Sequence, residues 1–289
     1  MSDRDDLLIS ADALKHRLSD TGAERPILLD TRFNLADTDE GERHYREGHI
    51  PGAFYAHLDR DLSGSIVPGE TGRHPLPEPA QLQATLRARG IRADSEVIVY
   101  DAANAMIAGR AWWLCRWAGL DRVRVLDGGW QAWLDAGGPV ESGSGPEPAD
   151  GDIEVRCPTE WIVDADQLLR NTGRYTLLDA RARPRYSGET EPMDHKAGHI
   201  PGALCADFTA NLDDSGRFKS APALRQRFES VPDDGNLVCY CGSGVTACHN
   251  ILALTLAGHR QPRLYAGSWS EWINDDSRPV ATGTEKEPV

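Results

Sequence analysis

A long internal repeat constrains the fold of this chain more than any other feature of its sequence. The hexapeptide G-H-I-P-G-A occurs verbatim at residues 48–53 and again at 198–203. The two copies also end alike, with L-D-G-G-W-Q-A-W at 126–133 and Y-A-G-S-W-S-E-W at 265–272. Self-similarity over so much of a chain is typical of repeated structural units. The sequence therefore predicts two homologous domains.

The domain boundaries follow from the repeat and from a change in composition between the copies. The stretch E-S-G-S-G-P-E-P-A-D-G-D at 141–152 is rich in glycine, proline and charge, as surface linkers are. We predict an N-terminal domain over residues 1–143, a linker over 144–158 and a C-terminal domain over 159–289. The length of 289 residues suits two domains of about 150 residues each.

Each copy alternates short apolar runs with helical segments. Apolar runs of this length, separated by helices, are typical of parallel strands that are covered on both faces. The predicted strands are I-L-L-D (27–30), V-I-V-Y (97–100), V-R-V-L (123–126), T-L-L-D (176–179), N-L-V-C-Y (236–240) and R-L-Y (263–265). The expected fold class is therefore α/β, with two tandem domains that each hold a parallel sheet flanked by helices.

Composition excludes several classes of function. Forty-five acidic against thirty-one basic side chains give a formal charge of −14, which argues against nucleic-acid or anionic-membrane partners. The N-terminus lacks the pattern of a signal peptide, and no run approaches the ~20 apolar residues of a membrane span. Six cysteines at irregular spacing suggest reduced thiols rather than a disulfide framework. We therefore expect a cytoplasmic protein.

One cysteine occupies a place that favours chemistry. Cys241 directly follows the predicted strand L-V-C-Y and precedes a helix expected over roughly residues 247–257. Ligands of such sheets bind beyond the carboxyl ends of the strands. There the free N–H groups and the positive end of the helix dipole favour a thiolate. Gly242 and Gly244 allow the backbone to turn its amides inward as an anion nest. We predict that Cys241 is a nucleophile.

The first copy lacks this nucleophile. Alignment of V-I-V-Y with L-V-C-Y places Asp101 where the second copy has Cys241, and no glycine nest follows Asp101. The N-terminal domain is therefore predicted to be catalytically silent. A cysteine-dependent phosphatase is disfavoured, because it needs an arginine at the end of the loop, where this chain has Ala247. The cysteine and histidine spacings also disfavour a metal site.

Together, the tandem copies, the two G-H-I-P-G-A motifs, the closing Y-A-G-S-W-S-E-W and the C-G-S-G-V-T loop resemble the two-domain rhodanese superfamily of sulfurtransferases. The resemblance covers essentially the whole chain. It implies that Cys241, at the domain interface, takes a sulfane sulfur from a small-molecule donor and forms a persulfide. The sulfur then passes to cyanide, a small thiol or a protein thiol such as thioredoxin. No metal or organic cofactor is implied.

The loop after the cysteine bears on the sulfur donor. The thiosulfate-specific branch has two cationic residues there, whereas this chain has Gly242 and Ser243. C-G-S-G-V-T is similar to the loop of the 3-mercaptopyruvate sulfurtransferase branch. A donor with one carboxylate needs fewer positive charges than the thiosulfate dianion. We expect 3-mercaptopyruvate as donor, with thiosulfate:cyanide transfer and a non-enzymatic binding module as alternatives.

The resemblance also implies roles for individual residues. Ser243 is expected to act with His74 and Asp59 from the N-terminal domain. The loop residues that would hold the sulfur and the donor are Gly242, Gly244, Val245 and Thr246.

Two arginines bind the donor carboxylate in the 3-mercaptopyruvate branch. The first matches Arg185, with Arg181 as a supporting candidate. The second normally follows a Glu-Pro shortly before G-H-I-P-G, but this chain has Met193 there. We expect His195 or Lys196 to substitute for it, or the donor preference to differ.

Overall fold

The computed structural model describes residues 4–20, 22, 24–147, 150–171, 173–283 and 289. Two separate parallel sheets confirm the predicted pair of α/β domains. The ends of the predicted domains at residues 1–3 and 284–288 lie outside the described residues, as do residues 148 and 149 of the predicted linker. Within the described residues, no helix is both long and apolar enough to cross a membrane.

The N-terminal sheet has five parallel strands in the order β1-β5-β4-β2-β3. Its strands are β1 Leu8–Ile9, β2 Ile27–Asp30, β3 Ala53–Tyr55, β4 Val97–Tyr100 and β5 Val123–Leu126. The three predicted strands are β2, β4 and β5. Sequence reasoning missed β1 and β3, because strands of two or three residues show no periodicity. In the centre of the sheet β2 pairs with β4 in the register Ile27↔Val97.

The C-terminal sheet has four parallel strands in the order β7-β6-β8-β9. Its strands are β6 Thr176–Asp179, β7 Leu204–Cys205, β8 Leu237–Tyr240 and β9 Arg263–Leu264. The three predicted strands are β6, β8 and β9, and β6 pairs with β8 in the register Thr176↔Leu237. Because β2 and β6 occupy corresponding places in the two sheets, the repeat in the sequence is also a repeat in three dimensions.

Helices pack on both sheets. The helices of the N-terminal domain are α1 Arg4–Leu7, α2 Ala11–Ser19, α3 Glu40–Glu47, α4 Leu58–Asp61, α5 Pro79–Arg87, α6 Ala108–Trp117 and α7 Gly129–Asp135. The helices of the C-terminal domain are α8 Ala165–Arg170, α9 Arg183–Ser187, α10 Ala221–Arg227, α11 Thr246–Ala257 and α12 Ser268–Trp272, with short 3-10 helices at Thr159–Trp161 and Phe208–Asn211. Side chains cap the corresponding helices α2 and α8, through Ser10 and Asp164.

The two domains meet along helices α6 and α11, and this contact positions the site. Both helices are buried over most of their length, as expected for helices that are apolar on nearly all sides. Gly109 of α6 lies so close to His249 of α11 that an added Cβ would be 3.3 Å from the His249 backbone. His249 also bonds to the carbonyl oxygen of Asn104 at 3.1 Å. The interface is therefore packed like a domain core.

The second half of the predicted linker is not a free surface segment. The N–H of Gly151 donates to the Arg87 carbonyl at 2.8 Å, and the N–H of Cys157 donates to the Trp117 carbonyl at 3.0 Å. Between them Ile153 is buried. The apolar Ile153, which directly follows the polar stretch 141–152, anchors this part of the chain on the N-terminal domain.

Candidate functional site

The candidate nucleophile lies at the carboxyl end of β8. Cys241 is buried, and α11 begins five residues later at Thr246, one residue before the predicted start. The Sγ atom of Cys241 accepts a hydrogen bond from the N–H of Ser243 at 3.4 Å. The loop thus turns an amide toward the sulfur, as an anion nest does.

The two glycines of the loop have different roles. Gly244 has a left-handed backbone with φ +77°, and an added Cβ would lie 2.4 Å from the carbonyl oxygen of Ala266. At Gly242 the restriction comes from neighbouring side chains, because a Cβ would lie 2.9 Å from Arg73 Nη2 and 3.4 Å from Arg185 Nη2. Gly244 therefore makes the turn, whereas Gly242 leaves room for two guanidinium groups.

Ser268 supports the cysteine from behind. Its hydroxyl accepts from the Cys241 N–H at 3.1 Å and donates to the Tyr265 carbonyl at 2.9 Å. The backbone of Ser268 is left-handed, with φ 55°, which is unfavourable for a residue with a side chain. Nothing in the sequence pattern distinguished Ser268, because the role depends on this backbone conformation.

A serine, a histidine and an aspartate lie in sequence beside the sulfur, and the first two are hydrogen-bonded. His74 Nδ1 lies 2.8 Å from Ser243 Oγ, and His74 Nε2 lies 3.3 Å from Asp59 Oδ1. Burial, together with the charges of Arg110 and Arg73, lowers the pKa of His74 to about 3. The imidazole is therefore neutral at ordinary pH. With its single proton on Nε2 facing the carboxylate, Nδ1 accepts the Ser243 hydroxyl proton.

The segment that carries His74 is held by the opposite domain. The Arg73 N–H donates to Ser270 Oγ at 3.1 Å. An added Cβ at Gly72 would lie 2.4 Å from the carbonyl oxygen of Gly267. Because these contacts fix the backbone that leads into His74, the imidazole reaches Ser243 although the two residues belong to different domains.

A buried arginine of α6 joins the same two loops. Arg110 is fully buried, and its guanidinium donates to the carbonyls of Gly244 at 3.2 Å and of His74 at 3.3 Å. Burial lowers the pKa of Arg110, and the described partners of its guanidinium include no carboxylate. Sequence reasoning missed Arg110, although a lone cation within the apolar run A-G-R-A-W-W-L-C was a signal.

Two further arginines lie above the loop. Arg185 donates to Glu191 Oε1 at 2.7 Å and to Asp194 Oδ2 at 3.1 Å. Arg73 forms an ion pair with the other oxygen of the Asp194 carboxylate. The Arg185 side chain is partly exposed, at 20%. Two guanidinium groups, each paired with a carboxylate, thus lie over Gly242 in the Cys241 loop.

Comparisons with known proteins identify the family of the chain. A family model of the rhodanese-like domain matches residues 10–136 and 164–275. The chain is 51% identical over 284 residues to the probable 3-mercaptopyruvate sulfurtransferase of Pseudomonas aeruginosa, covering 96% of this chain and 98% of that protein. It is 42% identical over 265 residues to the putative thiosulfate sulfurtransferase SseB of Mycobacterium tuberculosis, covering 89% and 91%. The structure of 3-mercaptopyruvate sulfurtransferase from Leishmania major superposes with a TM-score of 0.82 at 30% identity, covering 94% of this chain and 75% of that one.

The chain belongs to the rhodanese-like domain family. Its relatives are named sulfurtransferases, and this rhodanese chain is a sulfurtransferase too. The family that the sequence motifs resembled is thereby confirmed.

One predicted donor-binding arginine of this rhodanese, Arg181, already bonds to other groups of the protein. Arg181 is buried and forms a bidentate ion pair with Asp179, at 3.0 and 2.6 Å. It also donates to the carbonyl of Gly198 at 2.7 Å and lies over the Trp269 ring, 4.8 Å from its centroid. The N-terminal domain repeats these contacts with Arg32 in place of Arg181, but Arg181 also pairs with Glu191 at 3.3 Å. Contacts present in both domains indicate a structural role for Arg181, and its part in donor binding stays a prediction.

Neither predicted substitute for the missing second arginine has a described contact with the Cys241 loop. Lys196 pairs with the exposed Asp276 at 2.7 Å, and Met193 is itself exposed. For His195 the structure gives no contact with the Cys241 loop. The second cation over Gly242 is Arg73, which the sequence analysis overlooked although it stands directly before His74.

The other cysteines of the rhodanese chain are placed as structural thiols. All six are described, and none forms a disulfide. Burial raises the pKa of Cys248 to about 12 and raises that of Cys239. Among the described residues, no group of three or more His, Cys, Asp or Glu side chains is arranged to hold a metal ion.

Proposed function

We propose that this rhodanese moves sulfur from 3-mercaptopyruvate through a Cys241 persulfide to a thiol or to cyanide. The observation that carries the proposal is the chain Cys241, Ser243, His74 and Asp59 beside two arginines. It supplies a nucleophile, a route for a proton and a place for one carboxylate. The similarity to the probable 3-mercaptopyruvate sulfurtransferase of Pseudomonas aeruginosa supports the same donor.

The first step joins the sulfur of the donor to the enzyme. The Cys241 thiolate attacks the donor sulfur, and a sulfur–sulfur bond forms while the carbon–sulfur bond breaks. The electron pair of that bond passes to the ketone and gives the enolate of pyruvate. The proton of the donor thiol then moves to the methylene carbon. The products are pyruvate and the ionised persulfide of Cys241.

Each residue around the sulfur has a part in this step. Ser243 Oγ donates to His74 and can accept the thiol proton of the donor, which the chain to Asp59 holds in transit. The amides of Gly242, Ser243, Gly244, Val245 and Thr246 surround the persulfide anion. Arg185 orients the carboxylate of the donor through Nη1, because its Nε and Nη2 already donate to Glu191 and Asp194.

The second step releases the sulfur. An acceptor thiolate or cyanide attacks the outer sulfur of the persulfide, and the electron pair of the broken sulfur–sulfur bond returns to Cys241. We include small thiols and protein thiols such as thioredoxin among the acceptors, and we place the reaction in the cytoplasm, where thiols stay reduced. The N-terminal domain of residues 1–143 provides His74 and Asp59 without a nucleophile of its own.

A comparison of donors tests this proposal. We would measure kcat/KM for 3-mercaptopyruvate and for thiosulfate with cyanide as acceptor, using Cys241→Ser as the blank. We expect a preference for 3-mercaptopyruvate and a wild-type mass increase of one sulfur atom after donor alone. A preference for thiosulfate would contradict the donor assignment, and the absence of any sulfur on Cys241 would favour a binding module without catalysis.

Thiosulfate is the second candidate donor because of the charge over the loop. Arg73 and Arg185 both lie over Gly242, and a dianion rewards paired cations. The similarity to the putative thiosulfate sulfurtransferase SseB points the same way. Against it, Asp194 neutralises part of this charge.

A further inference from the structure

The donor site has a cation that the sequence pattern did not predict. The position matching the second donor arginine of the 3-mercaptopyruvate branch is Met193, whose side chain is 44% exposed. Met193 cannot pair with a carboxylate. Arg73, from the opposite domain, instead places its guanidinium over the loop that follows the nucleophile.

Several contacts fix Arg73 at this place. Its backbone N–H is bonded to Ser270 Oγ, and its guanidinium pairs with Asp194. Asp194 also accepts from Arg185 Nη2 at 3.1 Å, so one carboxylate joins two arginines from different domains. The two cations are therefore held side by side, as a fork for one anion would require.

The Arg73 guanidinium also has bonding capacity left over. Its Nε is buried and has no hydrogen-bond partner among the described residues. A buried donor without a partner is costly, and a ligand oxygen would remove that cost. Burial lowers the pKa of Arg73, and the charge on Cys241 opposes that effect, so the guanidinium lies within electrostatic reach of the thiol.

The glycine after the nucleophile explains how Arg73 fits. A Cβ at Gly242 would be 2.9 Å from Arg73 Nη2, so the end of the Arg73 side chain would have to move. A cationic side chain at position 242 would therefore displace the Arg73 guanidinium from its place over the loop. Because position 242 has no side chain, a cation from the N-terminal domain occupies the space over the loop.

We propose that Arg73 is a specificity-determining residue that, with Arg185, binds the carboxylate of the sulfur donor. This inference rests on the proposed function, because it assumes a donor with one carboxylate. Asp194 holds the two guanidinium groups together before the donor arrives and shares them with the donor afterwards. The silent domain thus contributes to donor selection as well as to the serine–histidine–aspartate chain.

The test compares 3-mercaptopyruvate with its methyl ester, which lacks the charge of the carboxylate. In Arg73→Met we expect KM for the acid to rise about 10- to 100-fold, the range for loss of a charge-assisted hydrogen bond, with kcat changed far less. KM for the ester should stay within about twofold of the wild-type value, since the lost interaction is with the carboxylate. Arg43→Met, which removes an exposed N-terminal arginine paired with Asp37, is the control and should change neither KM.

A compensating variant sharpens the test. Arg73→Met combined with Met193→Arg restores an arginine at the position where the 3-mercaptopyruvate branch has one, and we expect KM for the acid to recover by about tenfold. If Arg73→Met does not fold, Arg73→Lys keeps the charge and loses the fork, and an intermediate rise in KM for the acid alone is expected.

Different results would overturn the two proposals separately. Equal KM changes for acid and ester in the folded Arg73 variants would show that Arg73 supports the loop rather than the carboxylate, and would overturn this inference. A wild-type enzyme that transfers sulfur from thiosulfate but not from 3-mercaptopyruvate would overturn the donor assignment. The Arg73 inference would then fall as well, because no carboxylate would be bound.

Discussion

The loop after β4 and the loop after β8 occupy corresponding places, yet only the second holds a thiol. The equivalence is visible in the backbone, because the N–H of Trp130 donates to the Asp101 carbonyl as the N–H of Trp269 donates to the Cys241 carbonyl. In the first domain the Asp101 carboxylate accepts from the N–H groups of Ala105, Ile107 and Ala108 at 2.9 to 3.1 Å.

This difference supports the prediction that the N-terminal domain is catalytically silent. The fold creates an anion-holding loop in both domains, and the first domain fills its loop with a carboxylate of its own chain. Burial raises the pKa of Asp101, and the backbone N–H groups oppose that effect. Asp101 thereby caps the start of α6, the helix that carries Arg110 to the interface. The residue at the nucleophile position of the first domain, Asp101, thus has a structural role.

Exchange of the two residues should produce the largest effect. Cys241→Asp gives the second loop the residue of the first, and we expect kcat/KM to fall by about four orders of magnitude or more, because the nucleophile is gone. The reciprocal Asp101→Cys, made in the Cys241→Asp background, should gain no sulfurtransfer, since no Ser243–His74 pair lies beside it. Mass spectrometry after donor treatment should find added sulfur on wild type only. A persulfide at position 101 of the exchanged variant would refute the comparison.

The second-largest effect should come from removal of His74, which the N-terminal domain contributes to the site. His74→Ala is expected to lower kcat about 100- to 1,000-fold with a small change in KM, the usual range for loss of proton transfer. His44→Ala, an exposed N-terminal histidine, is the control. An unchanged kcat in His74→Ala would mean that the donor proton takes another route.

The pH dependence offers a further check on His74. Its pKa is lowered to about 3, so the imidazole stays neutral from alkaline pH down to roughly pH 4. Protonation of His74 would therefore reduce kcat only as the pH approaches 3. Between pH 5 and 8 we expect the wild-type profile of kcat to contain no acid limb that disappears in His74→Ala. A His74-dependent limb near pH 6.5 would contradict the neutral imidazole.

Variants of the corresponding arginines Arg32 and Arg181 test whether both have the same structural role. Arg32→Met and Arg181→Met each leave a buried aspartate, Asp30 or Asp179, without its ion pair. We expect both variants to lose about 3 kcal/mol or more of unfolding free energy in urea melts, the usual cost of an uncompensated buried charge. If Arg181 has only a structural role, KM should change no more in Arg181→Met than in Arg32→Met. A rise in KM in Arg181→Met but not in Arg32→Met would show that Arg181 takes part in donor binding.

Much of this arrangement was predictable because its signals are local. Six strands stand out as apolar runs, and the repeat alone identifies Asp101 as the counterpart of Cys241. The pairing of His74 with Ser243 was expected only from the family resemblance, since no spacing along the chain relates them. The short strands β1, β3 and β7 have too few residues to show a period.

The remaining site residues depend on packing between domains. Arg73 acquires its partners Ser270 and Asp194 only when the segment around His74 meets the second domain, and Arg110 then adds a bond to the Gly244 carbonyl. A sequence pattern describes what one segment prefers by itself, so it cannot show which cation another domain will supply. Prediction from sequence therefore stops at the contacts that cross the interface.

The smallest expected effect concerns the backbone under the two loops. Gly129 and Ser268 share a left-handed conformation, with φ 58° and 55°, but only Ser268 has a hydroxyl that bonds to the Cys241 N–H. Ser268→Ala keeps the unfavourable backbone and removes the hydroxyl, whereas Ser268→Gly removes both. We expect kcat/KM to fall about three- to tenfold in both variants, because the cysteine loses one support.

The two variants should differ in stability. Ser268→Gly should be more stable than Ser268→Ala by about 1 kcal/mol in thermal or urea unfolding, because glycine adopts positive φ without the Cβ penalty. Full activity in both variants would show that the hydroxyl is dispensable. Equal stability would show that the surrounding loop, rather than residue 268 itself, absorbs the strain.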